Sequence, residues 1–297
     1  MPFRDILLAL LVVFIWGTSF IAIKLGVEAM PPIFLTAMRF LFSAVPAIFF
    51  LSRPKIPVWI LIAYGFALGV AMFSLMFIAI RLGLPISLAS ILAQMQVFFT
   101  ILLAYFVFGE APTRLQIIGA GIAFIGIVVF GYERAQSAPM LPFMLVLASA
   151  LFWGVANVIG KKAGRVDMQA FIVWASLSAP GPLLIISWLF EGQEAVMAAV
   201  THPTWAGVLS IAYLALAATV VAFGLWSNLL SRHPVSVVTP FALLIPIVGM
   251  ACGVLFFNER LTPMLLVGSA IVFAGLLINV FGDRLVRLLR SNGGTPA

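Results

Sequence analysis

The chain has 297 residues, of which 64% are hydrophobic and 8% charged, and its mean hydropathy is +1.23. A soluble domain of this length cannot hide that much apolar side chain, whereas lipid solvates it, so the soluble enzymes and scaffolds are excluded. The net charge of +7 would suit a nucleic acid only if it formed one patch, and it is scattered between apolar runs.

Ten runs of near-spanning length follow one another, approximately residues 6–25, 33–51, 58–80, 86–108, 115–131, 141–160, 170–190, 205–230, 235–257 and 264–281. The first is too long for a cleaved signal peptide and stays as a span. Connections such as residues 52–57 and 109–113 are barely long enough to turn, so consecutive spans are antiparallel neighbours. The stretches around 132–139 and 191–204 are the longest loops, and the tail 291–297 is expected to be disordered. One side of the membrane holds Arg4, Arg53, Lys55, Arg114, Lys161, Lys162, Arg165, Arg232, Arg284, Arg287 and Arg290, and the other only Lys24, Arg81, Arg134 and Arg260. Positive charge marks the cytoplasmic side, which places both termini there. The tail then meets anionic lipid headgroups, not DNA. Cys252 is the lone cysteine, so no intramolecular disulfide forms. Compactness and short loops suggest a bacterial inner membrane.

The chain repeats itself after an odd number of spans. Trp16-Gly17 with Lys24 recurs as Trp153-Gly154 with Lys161, an offset of 137 (153 − 16). Further on the offset is 149 (213 − 64): Tyr64 matches Tyr213, Pro85 Pro234, Ser87 Ser236, Glu110 Glu259, Thr113 Thr262, Gly119 Gly268 and Gly126 Gly275. The drift fits an enlarged loop around 191–204. An odd span count inverts the second copy, and inverted repeats build secondary transporters with a mid-membrane site where the halves meet. The expected fold is therefore an all-α polytopic membrane protein with ten transmembrane helices. Two inverted five-helix repeats, 1–135 and 136–297, surround a central cavity. Glu110 then faces the cytoplasm and Glu259 the outside.

Pro85 and Pro234 open spans, where a missing N–H is harmless. Pro46, Pro180, Pro182, Pro240 and Pro246 lie within apolar runs and kink their helices. Gly65–Gly69 and Gly249–Gly253 are both GxxxG, which favours close helix contact within the chain, with a dimer interface as the second reading.

Enzymatic signatures such as HExxH, GxSxG, a phosphate-binding GxxxxGK[ST] or CxxC do not occur. All nine acids fall at or near span ends, and His202 and His233 sit in loops. No metal site, cofactor, paired-carboxylate chemistry or buried carboxylate proton relay is expected. Arg39 alone carries charge well inside a span, where two readings stay open: it binds an anionic substrate group, or it snorkels outward or pairs structurally. The uncharged polar residues point more directly to a site. Ser87, Ser90 and Gln94 form one stripe on the fourth span, while Gln96 pairs by spacing with Thr100 on another face. Trp153 and Asn157 share a face of the sixth span, and Trp16 and Phe20 hold the equivalent positions on the first, with Ser19 close by. Tyr64 and Tyr213 are repeat mates, as are Phe77 and Trp226. The candidate substrate-binding residues are Trp16, Ser19, Tyr64, Gln94, Trp153, Asn157, Tyr213 and Trp226, aromatics and neutral amides suited to a small amphipathic solute. Taken singly, each also reads as interhelical bonding or lipid-facing filler. Trp59 and Trp205 read as interface-belt anchors.

At these residues the sequence resembles the drug/metabolite transporter superfamily, and within it the EamA family, over nearly the whole chain. Trp16-Gly17-Thr18-Ser19-Phe20, Met38-Arg39-Phe40, Phe108-Gly109-Glu110 and Asn258-Glu259-Arg260 carry the resemblance. It implies an inner-membrane exporter of amino acids and related metabolites, shaped as a basket of ten helices. Partners would be a small-molecule substrate and membrane lipids, with no nucleic acid, and the protein would be a monomer or weak dimer. Export of cationic drugs is the runner-up, weakened because the first span has no acid for proton exchange. An intramembrane lipid-modifying enzyme is the rival from another class and lacks a visible nucleophile–base pair or metal motif. A purely structural protein would predict no cavity.

Overall fold

The computed structural model describes residues 1–137, 139–164 and 166–292. Arg165 and the tail beyond Asn292 lie outside the described residues. Among the described residues, ten helices are long and apolar enough to cross a membrane: α1 Phe3–Ala29, α2 Pro32–Phe49, α3 Val58–Arg81, α4 Ile86–Phe108, α5 Arg114–Gln136, α6 Leu141–Lys162, α7 Met168–Phe190, α8 Trp205–Arg232, α9 Thr239–Phe257 and α10 Pro263–Gly282. The last continues as regular helix to Asn292.

Three boundaries differ from expectation. The stretch after α7 is not all loop, because a short helix, Gln193–Thr201, forms within it. Lys24 does not end α1: the helix runs on to Ala29, and Lys24 pairs with Glu28 one turn later at 2.9 Å. The ninth span starts late, since Val235–Val238 is one turn and Thr239–Leu244 is 3-10 helix before regular α-helix resumes at Ile245. Pro240 and Pro246 remove backbone donors there, which accounts for the irregular entry. Prolines interrupt two other spans in the same way. Pro46 follows the regular part of α2, and Pro180 is the first residue of a new helical segment within α7.

Two spans carry a defect that no residue type announces. α3 is π-helical over Phe66–Phe73 and α8 over Tyr213–Val221. At the offset of 149 the first stretch maps onto 215–222 and overlaps the second, so both repeats widen the same region of equivalent helices. Such bulges are rare and concentrate at functional sites.

Span ends are closed by acids. Glu191, at the end of α7, accepts from the N–H groups of Ile33 and Phe34 at 2.7 and 3.0 Å and from the Ser187 hydroxyl. Glu259 does the same for Ile86 and Ser87 at 2.7 and 3.0 Å, and also takes the Ser87 hydroxyl. Each carboxylate satisfies two orphan donors and faces the positive end of a helix dipole. Asn258 turns the chain for this purpose by adopting the left-handed conformation, φ 51°. Its repeat mate Gly109 adopts it too, φ 70°. At the other end of α1, buried Asp5 pairs with Arg232 at 3.1 Å and His233 at 2.6 Å.

The chain forms two compact units, neither of which coincides with one sequence half. The larger comprises Met1–Thr100 and Leu141–Glu259, and the smaller Ile101–Met140 and Arg260–Ala297. In the larger, α1 packs along α8 and α9, and α6 along α3 and the middle of α4. α2 packs on α7, and the start of α4 on α9. Both GxxxG pairs are used inside this unit. A Cβ on Gly69 would press on Ala179 and Phe40, and one on Gly249 on Ser90 and Phe20. The smaller unit is α5 against α10. A Cβ on Gly119 would lie 2.6 Å from the Gly275 carbonyl oxygen, and one on Gly126 2.8 Å from that of Gly268. Repeat mates Thr113 and Thr262 cap these helices, accepting from the N–H of Gln116 and Leu265 at 3.2 and 3.0 Å.

Candidate functional site

A cavity of about 370 Å³ lies within the larger unit. Its wall includes Trp16, Ser19, Phe20 and Ile23 of α1, Arg39 of α2, and Met72, Phe73 and Met76 of α3. Ser90, Ala93, Gln94 and Gln96 of α4 and Trp153 and Asn157 of α6 continue it, and Phe223 and Trp226 of α8 with Thr239, Ala242 and Ile245 of α9 close it. The volume suits a small solute. A second cavity of about 520 Å³, between Glu28–Pro32 and the short helix Gln193–Thr201, lies at span ends and shares none of these groups.

One wall is aromatic. Trp16 donates through Nε1 to the carbonyl of Ala218 at 2.9 Å, an oxygen within the π-helical stretch of α8. That bond fixes the indole, and its ring meets Phe223 edge-on at 5.0 Å and Trp226 at 5.4 Å.

Another part of the wall is amide. Asn157 donates through Nδ2 to Gln96 Oε1 at 2.7 Å and to Thr100 Oγ1 at 3.0 Å. Thr100 spends its own proton on the Gln96 carbonyl at 2.6 Å, which leaves its oxygen to accept. Both amide protons of Asn157 are therefore engaged, and its Oδ1 stays available as an acceptor. Gln94 also faces the cavity, although two residues on an α-helix lie about 200° apart. Ala93–Met95 is a 3-10 turn, which changes that separation to about 240°, or 120° the short way round. Gln94 and Gln96 thus reach one cavity.

Of the readings left open for Arg39, the structure removes outward snorkelling. Only 4% of it is exposed, so it does not snorkel. Its guanidinium carbon stacks 3.8 Å from the Phe73 ring centre. Nε and Nη2 both donate to the Thr219 hydroxyl at 3.3 Å, and Thr219 donates in turn to the Leu214 carbonyl at 2.8 Å. Among the described residues it has no carboxylate partner. Phe73 ends the π-helical stretch of α3 and Thr219 sits in that of α8. The two bulges supply the two sides of one clamp.

Of the eight residues singled out from sequence, Trp16, Ser19, Gln94, Trp153, Asn157 and Trp226 line this cavity, and Tyr64 and Tyr213 do not. The Tyr213 hydroxyl is tied to Thr18 Oγ1 at 2.6 Å and donates to the Ile15 carbonyl at 3.1 Å, bracing α8 on α1. Tyr64 is buried against Phe171, ring centres 4.7 Å apart. Gln96, Phe73 and Phe223 join the wall unannounced. Gln96 carried a signal, its pairing with Thr100, but helical spacing assigned it to another face.

Ten apolar helices with an internal polar and aromatic cavity define a multi-pass membrane protein built to enclose a small solute. The EamA-like transporter family model matches the chain twice, over residues 4–132 and 140–281. The chain belongs to the EamA-like transporter family. A protein of Salmonella typhimurium strain LT2 named "Probable amino-acid metabolite efflux pump" is 40% identical over 296 residues, covering 98% of this chain and 99% of its own. The Escherichia coli strain K12 protein of the same name is 39% identical over 287 residues, covering 95% and 96%. A solved structure at 21% identity covers 96% of this chain and 99% of its own, with a TM-score of 0.65, which supports the fold alone.

Proposed function

We propose that the protein exports amino acids and related small metabolites by alternating access, and that it acts as a carrier with no catalytic role. It resides in the bacterial inner membrane with both termini in the cytoplasm, as a monomer or weak dimer that engages lipids and no nucleic acid. The single observation that carries the reading is the cavity, where one wall is aromatic and the other presents amides with spare donors and acceptors. An amino acid has an apolar side chain, an ammonium and a carboxylate, and these walls match the first two directly. The names of the Salmonella and Escherichia coli relatives support the same substrate class. Trp16, Ser19, Gln94, Trp153, Asn157 and Trp226 form the substrate site in this reading, with Tyr64 and Tyr213 as braces behind it.

The halves 1–135 and 136–297 are related by a pseudo-two-fold axis in the membrane plane. Crosswise packing supports this: α1 lies on α8 as α6 lies on α3, and Gly119 meets Gly275 as Gly126 meets Gly268. The pairing is unequal in one place. α1 also packs on the ends of α3 and α4 that lead into Arg81 and follow Pro85, whereas among the described residues α6 makes no comparable contact with α8 and α9. An inverted pair with one such gap closed and its mate open is what alternating access requires.

Counterflow of labelled amino acids across proteoliposomes tests the function, and a panel with no exchange above empty vesicles overturns it. The cavity wall has no acid, so an imposed pH gradient should not drive uphill uptake; accumulation that collapses with an uncoupler would refute the absence of proton coupling. Single cysteines at Ala111 and Arg260, placed in a Cys252→Ser background, should label from opposite sides. Labelling from the same side would end the inverted arrangement.

A further inference from the structure

We propose that Arg39 is the carboxylate-binding subsite of the cavity, so that the transported solutes are organic carboxylates held by a single cation. This rests on the amino-acid reading above and names the positive charge that the neutral amide and aromatic walls do not offer the carboxylate. A guanidinium is charged at all working pH values and carries five N–H donors, and a buried one without acceptors is strongly disfavoured. Arg39 is 96% buried, faces the cavity and finds one acceptor among the described residues, the Thr219 hydroxyl, which two of its nitrogens share at 3.3 Å each. These are long contacts for a charged donor. The Phe73 ring at 3.8 Å covers one face of the cation and holds its plane, leaving the planar edge for a ligand. A carboxylate meets such an edge with two oxygens in the same plane.

A structural role predicts a different neighbourhood. Where a charge does serve packing here, at buried Asp5, it is directly paired: the carboxylate meets exposed Arg232 at 3.1 Å and part-buried His233 at 2.6 Å. No described acid stands beside Arg39 in that way. The repeat mate of Arg39 at the offset of 137 is Ser176, which donates to Ile172 of its own helix at 2.7 Å and leaves the cavity with one cation on one side. A zwitterion would then lie with its carboxylate at α2 and its ammonium toward Asn157 Oδ1 on α6. Sharing with Thr219 and stacking on Phe73 weaken the hold, which lets a carrier release its solute.

The test compares acids with their amides in wild type and in Arg39→Gln. In detergent, 3-phenylpropionate should raise the melting temperature of wild type and 3-phenylpropanamide should not. In counterflow, L-leucine and L-phenylalanine should compete at least about tenfold better than their amides, the scale of one charged hydrogen bond. In Arg39→Gln both preferences should fall to within about twofold, while Arg39→Lys keeps part of them. Equal effects of acid and amide on wild type overturn the proposal, and so does an unchanged preference in folded Arg39→Gln. Stabilisation by inorganic phosphate in place of the carboxylate also overturns it. If no amino acid crosses but 3-phenylpropionate still stabilises wild type and not Arg39→Gln, the carboxylate subsite stands and the amino-acid reading falls. Should Arg39→Gln aggregate, the wild-type comparison and Arg39→Lys still decide the matter.

Discussion

The two compact units treat their repeat mates in opposite ways. In the smaller, the mates stayed alike and meet crosswise: Gly119 with Gly275, Gly126 with Gly268, and Thr113 and Thr262 each capping a helix. In the larger, Trp16 and Trp153 stayed alike at the cavity, but other mates there diverged. Arg39 stands opposite Ser176, Ser19 opposite Ala156, and Phe20 opposite Asn157 at the offset of 137. Symmetric positions suit packing, because both copies face the same backbone at the same distance. A solute with a charged end, a polar end and an apolar side has no two-fold symmetry, so the walls that hold it cannot be copies of one another.

Substitutions should break the two units differently, and the largest effect is expected in the smaller one. Gly126→Leu would force a Cβ to 2.8 Å from the Gly268 carbonyl oxygen, a contact that only a backbone shift relieves. Monodisperse protein should be lost on size exclusion; a well-behaved variant would mean that α5 and α10 are not packed through their glycines. Next come the amides. Asn157→Ala removes bonds of 2.7 and 3.0 Å, and Gln94→Ala removes a cavity amide. Each should weaken substrate affinity by up to roughly tenfold while expression stays near normal. Unchanged counterflow in both would mean that the solute does not use this wall.

Smaller effects sharpen the contrast. Thr262→Ala deletes a helix cap in the smaller unit, worth about 1 kcal/mol. It should lower the melting temperature and leave flux alone, whereas a flux defect at unchanged stability would tie α10 to transport. Ser176→Ala, the symmetric partner of the Arg39 substitutions, touches only a bond within its own helix and should alter neither acid–amide preference nor flux. Trp59→Ala should do least. That side chain is half exposed and lies under the Lys162 ammonium at 5.1 Å, away from the cavity. A loss of affinity there would mean the site is drawn on the wrong helix faces.

Sequence alone determined the ten spans, the twofold repetition, the glycine contacts and six of the cavity residues. These rest on local or periodic quantities: hydropathy over about 20 residues, identity at a fixed offset, and helical spacing around a single axis. What it left undecided depends on departures from that spacing. Tyr64 and Tyr213 read like site residues because they are matched aromatics with polar tips, yet they are turned into the packing behind the wall. Gln96 looked misdirected until a 3-10 turn at Ala93–Met95 brought it to the cavity beside Gln94. The role of Arg39 was open because its environment is made by Phe73 and Thr219, which lie 34 (73 − 39) and 180 residues away in the chain. Both sit on π-helical stretches that carry no proline and no charge. A bulge of this kind is set by what the neighbouring helices accept as they pack, and only the tertiary structure decides that.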